Sequence, residues 1–286
     1  MTITTLNAPC CLSGLRALKI VIGNSSETSN LLESSFWELY LFAALREWGL
    51  LSDLRYHAPD FVVKGSAPFC LEATTANPPA GGQPPYGFSM TLPPTDFTDF
   101  NIESTLRICN SFDTKVKKHR NSYSKLAHVQ NKPSSALHHS TDLTHILQLG
   151  CPIMAALYGL YHDESATRPD DVYVQPYNVT AAPKNANTNI DVGLLCDDTY
   201  TDVSAVVYSS LDTWGKLRAL AENPDVLSVY TTLHPRRLIP VVRTSLKQDY
   251  SEHLMDGLYV LHNPVARNPI PSVLLSHPRV CAVNVA

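Results

Sequence analysis

The chain has 286 residues, of which 44% are hydrophobic and 17% charged; 22 basic and 26 acidic residues give a formal net charge of −4. That balance excludes a highly charged disordered chain and argues against a protein that coats nucleic acid through a global positive field. No apolar run reaches the roughly 18 residues of a membrane span, and the first residues lack the basic start of a signal peptide. Seven cysteines without C-x-x-C spacing argue against a disulfide framework or a zinc cluster and point to a cytoplasmic compartment.

In chain order, residues 1–28 read as an irregular segment. A helix is expected over 30–48, where Leu32, Phe36, Leu39, Tyr40, Ala43 and Ala44 follow helical spacing and Gly49 supplies a stop. The short runs 50–57, 60–63 and 69–75, rich in β-formers, predict strands, with Lys64-Gly65-Ser66-Ala67 as a turn. Residues 77–100 are rich in proline and glycine and read as a long surface loop. A basic helix is expected over 101–128, opening at Asn101 with Glu103 in its first turn. Ser134–His139 predicts a strand, and 144–160 a buried helix broken or kinked at Pro152. Residues 163–202 read as an acidic loop. Residues 203–211, 226–233 and 257–263 are further strands, and the alternation predicts an α/β fold with a mixed sheet.

The chemistry concentrates in Pro59-Asp60-Phe61-Val62-Val63 and Phe69-Cys70-Leu71-Glu72-Ala73-Thr74. A hairpin centred near Ser66 sets Asp60 opposite Glu72, where facing Cβ atoms lie about 4.5–5.5 Å apart. Two carboxylates so placed repel unless a cation sits between them, and oxygen donors of this kind suit Mg²⁺ or Mn²⁺. Alternation puts Cys70, Glu72 and Thr74 on one face of the strand. Between 107 and 132 the chain carries Arg107, Lys115, Lys117, Lys118, Arg120, Lys125 and Lys132 against the single acidic residue Asp113, a local charge of +6. On a helix Lys115, Lys118 and His119 share a face. A second basic group, Arg236, Arg237, Arg243 and Lys247, has no acidic residue between its ends. Such patches suit salt-sensitive contact with a phosphate backbone.

Pro-Asp followed by Glu-x-Thr after a short hairpin, behind a helix with an inward glutamate, resembles the PD-(D/E)XK nuclease superfamily. The wider order, with a lysine-bearing helix, then Lys132-Pro133, then His262-Asn263-Pro264, resembles uncharacterised bacterial members whose motif lysine has migrated to a helix. The resemblance implies a restriction-endonuclease-like core: a central mixed β-sheet flanked by helices over 29–162, with 163–286 as a C-terminal elaboration of the same domain. It implies Asp60 and Glu72 as ligands of Mg²⁺, with Mn²⁺ as a substitute, and Glu38 as the match to the helical acidic residue. Thr74 stands where a lysine is usual and would contact the attacking water. Lys115 or Lys118 would replace that lysine. Lys117, His119, Arg120, Lys125, Arg236 and Arg237 would bind nucleic acid, DNA first and RNA second. Cleavage of both strands calls for two sites, hence a homodimer. The implied activity is metal-dependent endonucleolytic hydrolysis in bacterial defence or DNA processing. The alternative is a catalytically inactive nucleic-acid or protein-binding module on the same fold, which Thr74 favours.

Blander roles compete for several residues. Asp60 also suits a turn, Glu72 a solvent-facing strand position, and Glu38, Lys115 and Lys118 exposed helix faces. His138 and His139 point to opposite sides of a strand and so cannot share one ion. His262-Asn263-Pro264 reads as a turn. The Asp170-Asp171 and Asp197-Asp198 pairs lack the alternating oxygens of a calcium loop.

Overall fold

The computed structural model describes residues 26–75, 97–139, 151–162, 176–209, 220, 227–233, 240–246 and 252–285. Most of the expected irregular segment and of the 77–100 loop, together with Arg236, Arg237, Lys247 and Asp170-Asp171, lies outside them.

Helix α1 (Ser26–Glu47) starts earlier than its apolar spacing suggests. It buries Trp37, Tyr40, Leu41, Ala44 and Leu45 on one face. Gly49, at φ +73°, ends it. The Leu50 N–H reaches back to the Leu45 carbonyl at 2.8 Å and the Gly49 N–H to Arg46 at 2.9 Å, the paired bonds of a Schellman cap. Strands β1 (Leu51–Asp53), β2 (Phe61–Lys64) and β3 (Phe69–Thr75) follow as an antiparallel meander. Its outer edge is pinned by buried Asp53, whose carboxylate takes Arg55 at 2.6 Å and Lys64 at 2.9 Å.

Helix α2 (Thr98–Asn121) departs from the expected 101–128 at both ends. Asn101 is no cap: it is buried one turn inside the helix, its side-chain amide donating to Tyr161 Oη at 3.0 Å. The helix stops at Asn121 with the Ser122 N–H still bonded to Lys118, and a 3-10 turn (Tyr123–Lys125) takes over. Its apolar stripe, Ile108, Cys109, Phe112 and Val116, is buried; Lys117, Lys118 and Arg120 lie on the exposed surface, while Arg107 and Lys115 are part-buried.

Strand β4 (Ser134–His139) then pairs parallel to β3, as a crossover through a helix requires. Pro152 is the second residue of helix α3 (Cys151–Tyr158), in the first turn, where a missing N–H costs nothing. Residues 140–150, which include the first part of the helix expected over 144–160, lie outside the described residues. Gly159 follows at φ +62°, and a Cβ there would meet the Val179 carbonyl oxygen at 2.6 Å. Only glycine fits. Instead of an unbroken loop, the described part of 163–202 contains β6 (Pro176–Asn178), paired with β5 (Leu160–His162), and the hairpin β7 (Ala181–Asn185) with β8 (Thr188–Asp191). A side-chain bond from the Asn187 N–H to Asn185 Oδ1 (3.0 Å) closes that hairpin.

Strand β9 (Val203–Ser209), buried along its whole length, lies parallel to β4. Strands β10 (Leu227–Leu233) and β11 (Pro240–Leu246) form a separate antiparallel ribbon. Strand β12 (Leu258–His262) runs antiparallel to β9, and β13 (Cys281–Val283) parallel to β12. The fold is therefore α/β around a mixed sheet that, among the described residues, has seven strands in the order β1-β2-β3-β4-β9-β12-β13. Residues on both sides of position 162 share this sheet.

Alternation along β9 sends Ala205 and Val207 into one core with α1, and Val206 and Tyr208 into the other with α2 and α3. By the same rule Phe69, Leu71 and Ala73 of β3 join the α1 core. Cys70, Glu72 and Thr74 therefore face the α2 side. Among the described residues no helix is long and apolar enough to cross a membrane.

Candidate functional site

Pairing of Phe61 with Leu71, Val62 with Cys70 and Val63 with Phe69 centres the β2–β3 hairpin on Ser66. One residue further along this register, Asp60 stands opposite Glu72. The Ala73 N–H donates to Asp60 Oδ2 at 2.7 Å, which fixes the carboxylate beside β3.

Glu72 is nine-tenths buried, an expensive place for a carboxylate. Its Oε1 meets three donors: Lys115 Nζ at 2.8 Å, Lys118 Nζ at 3.5 Å and the Tyr123 hydroxyl at 3.4 Å. Its Oε2 is buried and, among the described residues, has no hydrogen-bond partner. A buried acceptor in that state is costly and calls for a further cation or donor.

Asp60 senses the same crowding. Burial first, then the charge of Glu72 and more weakly that of Glu38, pushes its carboxyl up to about 7, against the pull of the Ala73 N–H and Lys115. Glu38, expected to point inward, is instead exposed on α1 and acts on this group through its charge. Thr74 is buried two residues beyond Glu72 on the same strand face. Asp60, Glu72, Glu38 and Lys115 thus form one electrostatic unit, with Lys118 half-exposed at its rim. Hard carboxylate oxygens, one of them unsatisfied, fit Mg²⁺ or Mn²⁺ better than a soft transition metal.

The remaining basic candidates separate. Lys117 points to Asp113 at 2.6 Å on the exposed surface. Arg120 makes a two-point contact with Asp202 (Nε–Oδ2 2.8 Å, Nη2–Oδ1 2.5 Å) and also donates to the Thr199 carbonyl, so its fork is occupied within the fold. His119 is half-buried, and burial holds its pKa below the usual value. Lys125 is exposed in the 3-10 turn. Arg243 belongs to β11.

Two contributors carry no motif signal: Tyr123 and His128. The His128 ring stacks on Tyr56 at 3.8 Å, and its Nε2 lies 2.7 Å from the Ala58 carbonyl. Since a carbonyl only accepts, Nε2 carries the proton. This contact ties the loop bearing Asp60 to the segment after α2.

A second group, Glu47, His253 and His277, brings potential ligand atoms within 4.8 Å of one another. It is poorly suited to a metal. His253 Nδ1 accepts the Met255 N–H (3.1 Å) and His277 Nδ1 the Arg279 N–H (3.2 Å). Metal binding through Nε2 would protonate Nδ1 and set N–H against N–H. The group reads instead as a polar staple between the end of α1 and the segments before β12 and β13.

Comparison with protein-family models, with curated proteins and with solved structures finds no match for this chain.

Proposed function

We propose that the protein is a metal-dependent nuclease with a restriction-endonuclease-like core, hydrolysing phosphodiester bonds in DNA. The observation that carries the reading is the pairing of Asp60 with Glu72 across β2–β3, one Glu72 oxygen held by lysine and the other buried without a partner among the described residues. Asp60 and Glu72 would hold Mg²⁺ or Mn²⁺, with Glu38 assisting directly or through water. When bound, the ion polarises a phosphoryl oxygen and lowers the pKa of bound water.

The chain's own groups supply the rest. Lys115, fixed on Glu72, is the cation best placed to orient the attacking water or to stabilise charge developing on phosphate. Thr74 offers a hydroxyl on the same strand face. Lys118, half in solvent, suits contact with the substrate backbone. Water adds to phosphorus, the phosphorus–oxygen ester bond breaks, and the leaving oxygen takes a proton.

The test is incubation of supercoiled plasmid with the purified protein and Mg²⁺ or Mn²⁺, beside Asp60→Ala and Glu72→Gln variants. Metal-dependent nicking lost in both variants is the expected result; cleavage that survives Asp60→Ala overturns the assignment. The occupation of the usual motif-lysine position by Thr74 favours a second reading, a non-catalytic binding module, which no cleavage with intact DNA binding would support. RNA substrates in parallel address the nucleic-acid class, and sedimentation on DNA addresses the proposed homodimer.

A further inference from the structure

The three donors on Glu72 all converge on Oε1, which leaves the other oxygen to whatever the site binds. Tyr123 belongs to none of the motifs, yet it is the first residue of the turn that replaces the last two turns expected of α2, and it is buried against β3. Its hydroxyl lies 3.4 Å from Glu72 Oε1. Its ring carries the Lys118 ammonium 4.9 Å from the centroid, and that ammonium is itself 3.5 Å from Oε1. The Leu126 N–H bonds to the Tyr123 carbonyl at 3.0 Å, which fixes the turn.

We infer that Tyr123 is a positioning residue: it holds Glu72 and Lys118 in the arrangement that presents Glu72 Oε2 to a divalent cation. This rests on the metal-site reading above. The hydroxyl and the two ammonium groups occupy Oε1, so the carboxylate cannot turn Oε2 toward α2 without breaking the Lys115 contact at 2.8 Å. Outer contacts that orient a metal ligand are typically worth roughly 10–100-fold in metal affinity.

The experiment uses the full chain and Mn²⁺ as the probe, with binding followed by electron paramagnetic resonance. Tyr123→Phe keeps the ring under Lys118 and removes only the hydroxyl; Tyr123→Leu removes both. Expected results are a roughly tenfold weaker Mn²⁺ affinity for Tyr123→Phe, a larger loss for Tyr123→Leu, and an unchanged melting temperature for Tyr123→Phe. In cleavage assays the Mn²⁺ concentration for half-maximal rate rises while the rate at saturating Mn²⁺ holds. Wild-type affinity in Tyr123→Phe overturns the inference. If Glu72→Gln loses Mn²⁺ while Tyr123→Phe retains it fully, the metal site stands and Tyr123 falls out of it. If the wild-type chain binds no Mn²⁺, both fall together.

Discussion

Lys115 lies 43 positions after Glu72, yet its ammonium sits 2.8 Å from Glu72 Oε1 and makes a part-buried charge-assisted hydrogen bond. Lys118, one turn on, is 3.5 Å from the same oxygen with half its side chain in solvent. The two lysines should therefore fail differently. Lys115→Met is expected to lower the single-turnover cleavage rate about 100-fold or more, the scale on which a preorganised donor matters. Lys118→Met should chiefly weaken substrate binding and reduce the salt slope of DNA affinity by about 1. Single-turnover kinetics and a salt titration separate these outcomes; equal effects in both assays would contradict the division.

The hairpin register was legible because it is local. A turn at Gly65-Ser66, two runs of β-formers and period-two alternation leave little freedom, and they put Asp60 opposite Glu72. What the sequence hides is set by distant partners. Arg120 looks like a phosphate ligand until the fold brings Asp202 to it from 82 residues away. The end of α2 is equally hidden, since Asn121-Ser122 carries no glycine or proline to announce it. Tyr123 therefore reads as one more helical residue when it in fact turns in toward Glu72. The β7–β8 hairpin lacks apolar alternation, and only its Asn185-Ala186-Asn187 turn could have signalled it.

The occupied fork of Arg120 leads to a second expectation. Arg120→Ala should leave the salt dependence of DNA binding unchanged, because its guanidinium already serves Asp202 and the Thr199 carbonyl. Its stability cost should stay near 1 kcal/mol, the scale of a solvent-accessible pair. Lys125→Ala, by contrast, should reduce the salt slope by about 1 with no change in stability. A salt slope altered in Arg120→Ala but not in Lys125→Ala would reverse the assignment.

Asn263, in the late His262-Asn263-Pro264 run, is a structural residue. Its amide donates to the Tyr200 and Val203 carbonyls at 2.9 and 2.8 Å, and its Oδ1 accepts the Val265 N–H at 3.0 Å. These bonds join the end of β12 to the start of β9 in a buried setting. Asn263→Ala leaves those groups unpaired and should cost about 2–3 kcal/mol. Urea denaturation measures this, and Mn²⁺ affinity should not change while the protein is folded.

Asp60 makes stability itself a readout of the site. Its folded carboxyl titrates near 7 rather than at the ordinary 3.8, so between those values the folded state holds a proton that the unfolded state has released. Stability through this group must then fall as pH rises from about 4 to about 7, and stay lowered above that. Asp60→Asn keeps an acceptor for the Ala73 N–H and removes the charge. In EDTA it should raise the melting temperature at pH 8 by several degrees and change it little at pH 4. Adding Mn²⁺ at pH 8 should reverse the order, since a bound cation favours the carboxylate and stabilises the wild-type chain by mass action. The asparagine variant should gain nothing from the metal. Thermal melts of both proteins at the two pH values, with EDTA and with Mn²⁺, decide the matter. A variant stabilised by Mn²⁺ as much as the wild type would place the cation elsewhere.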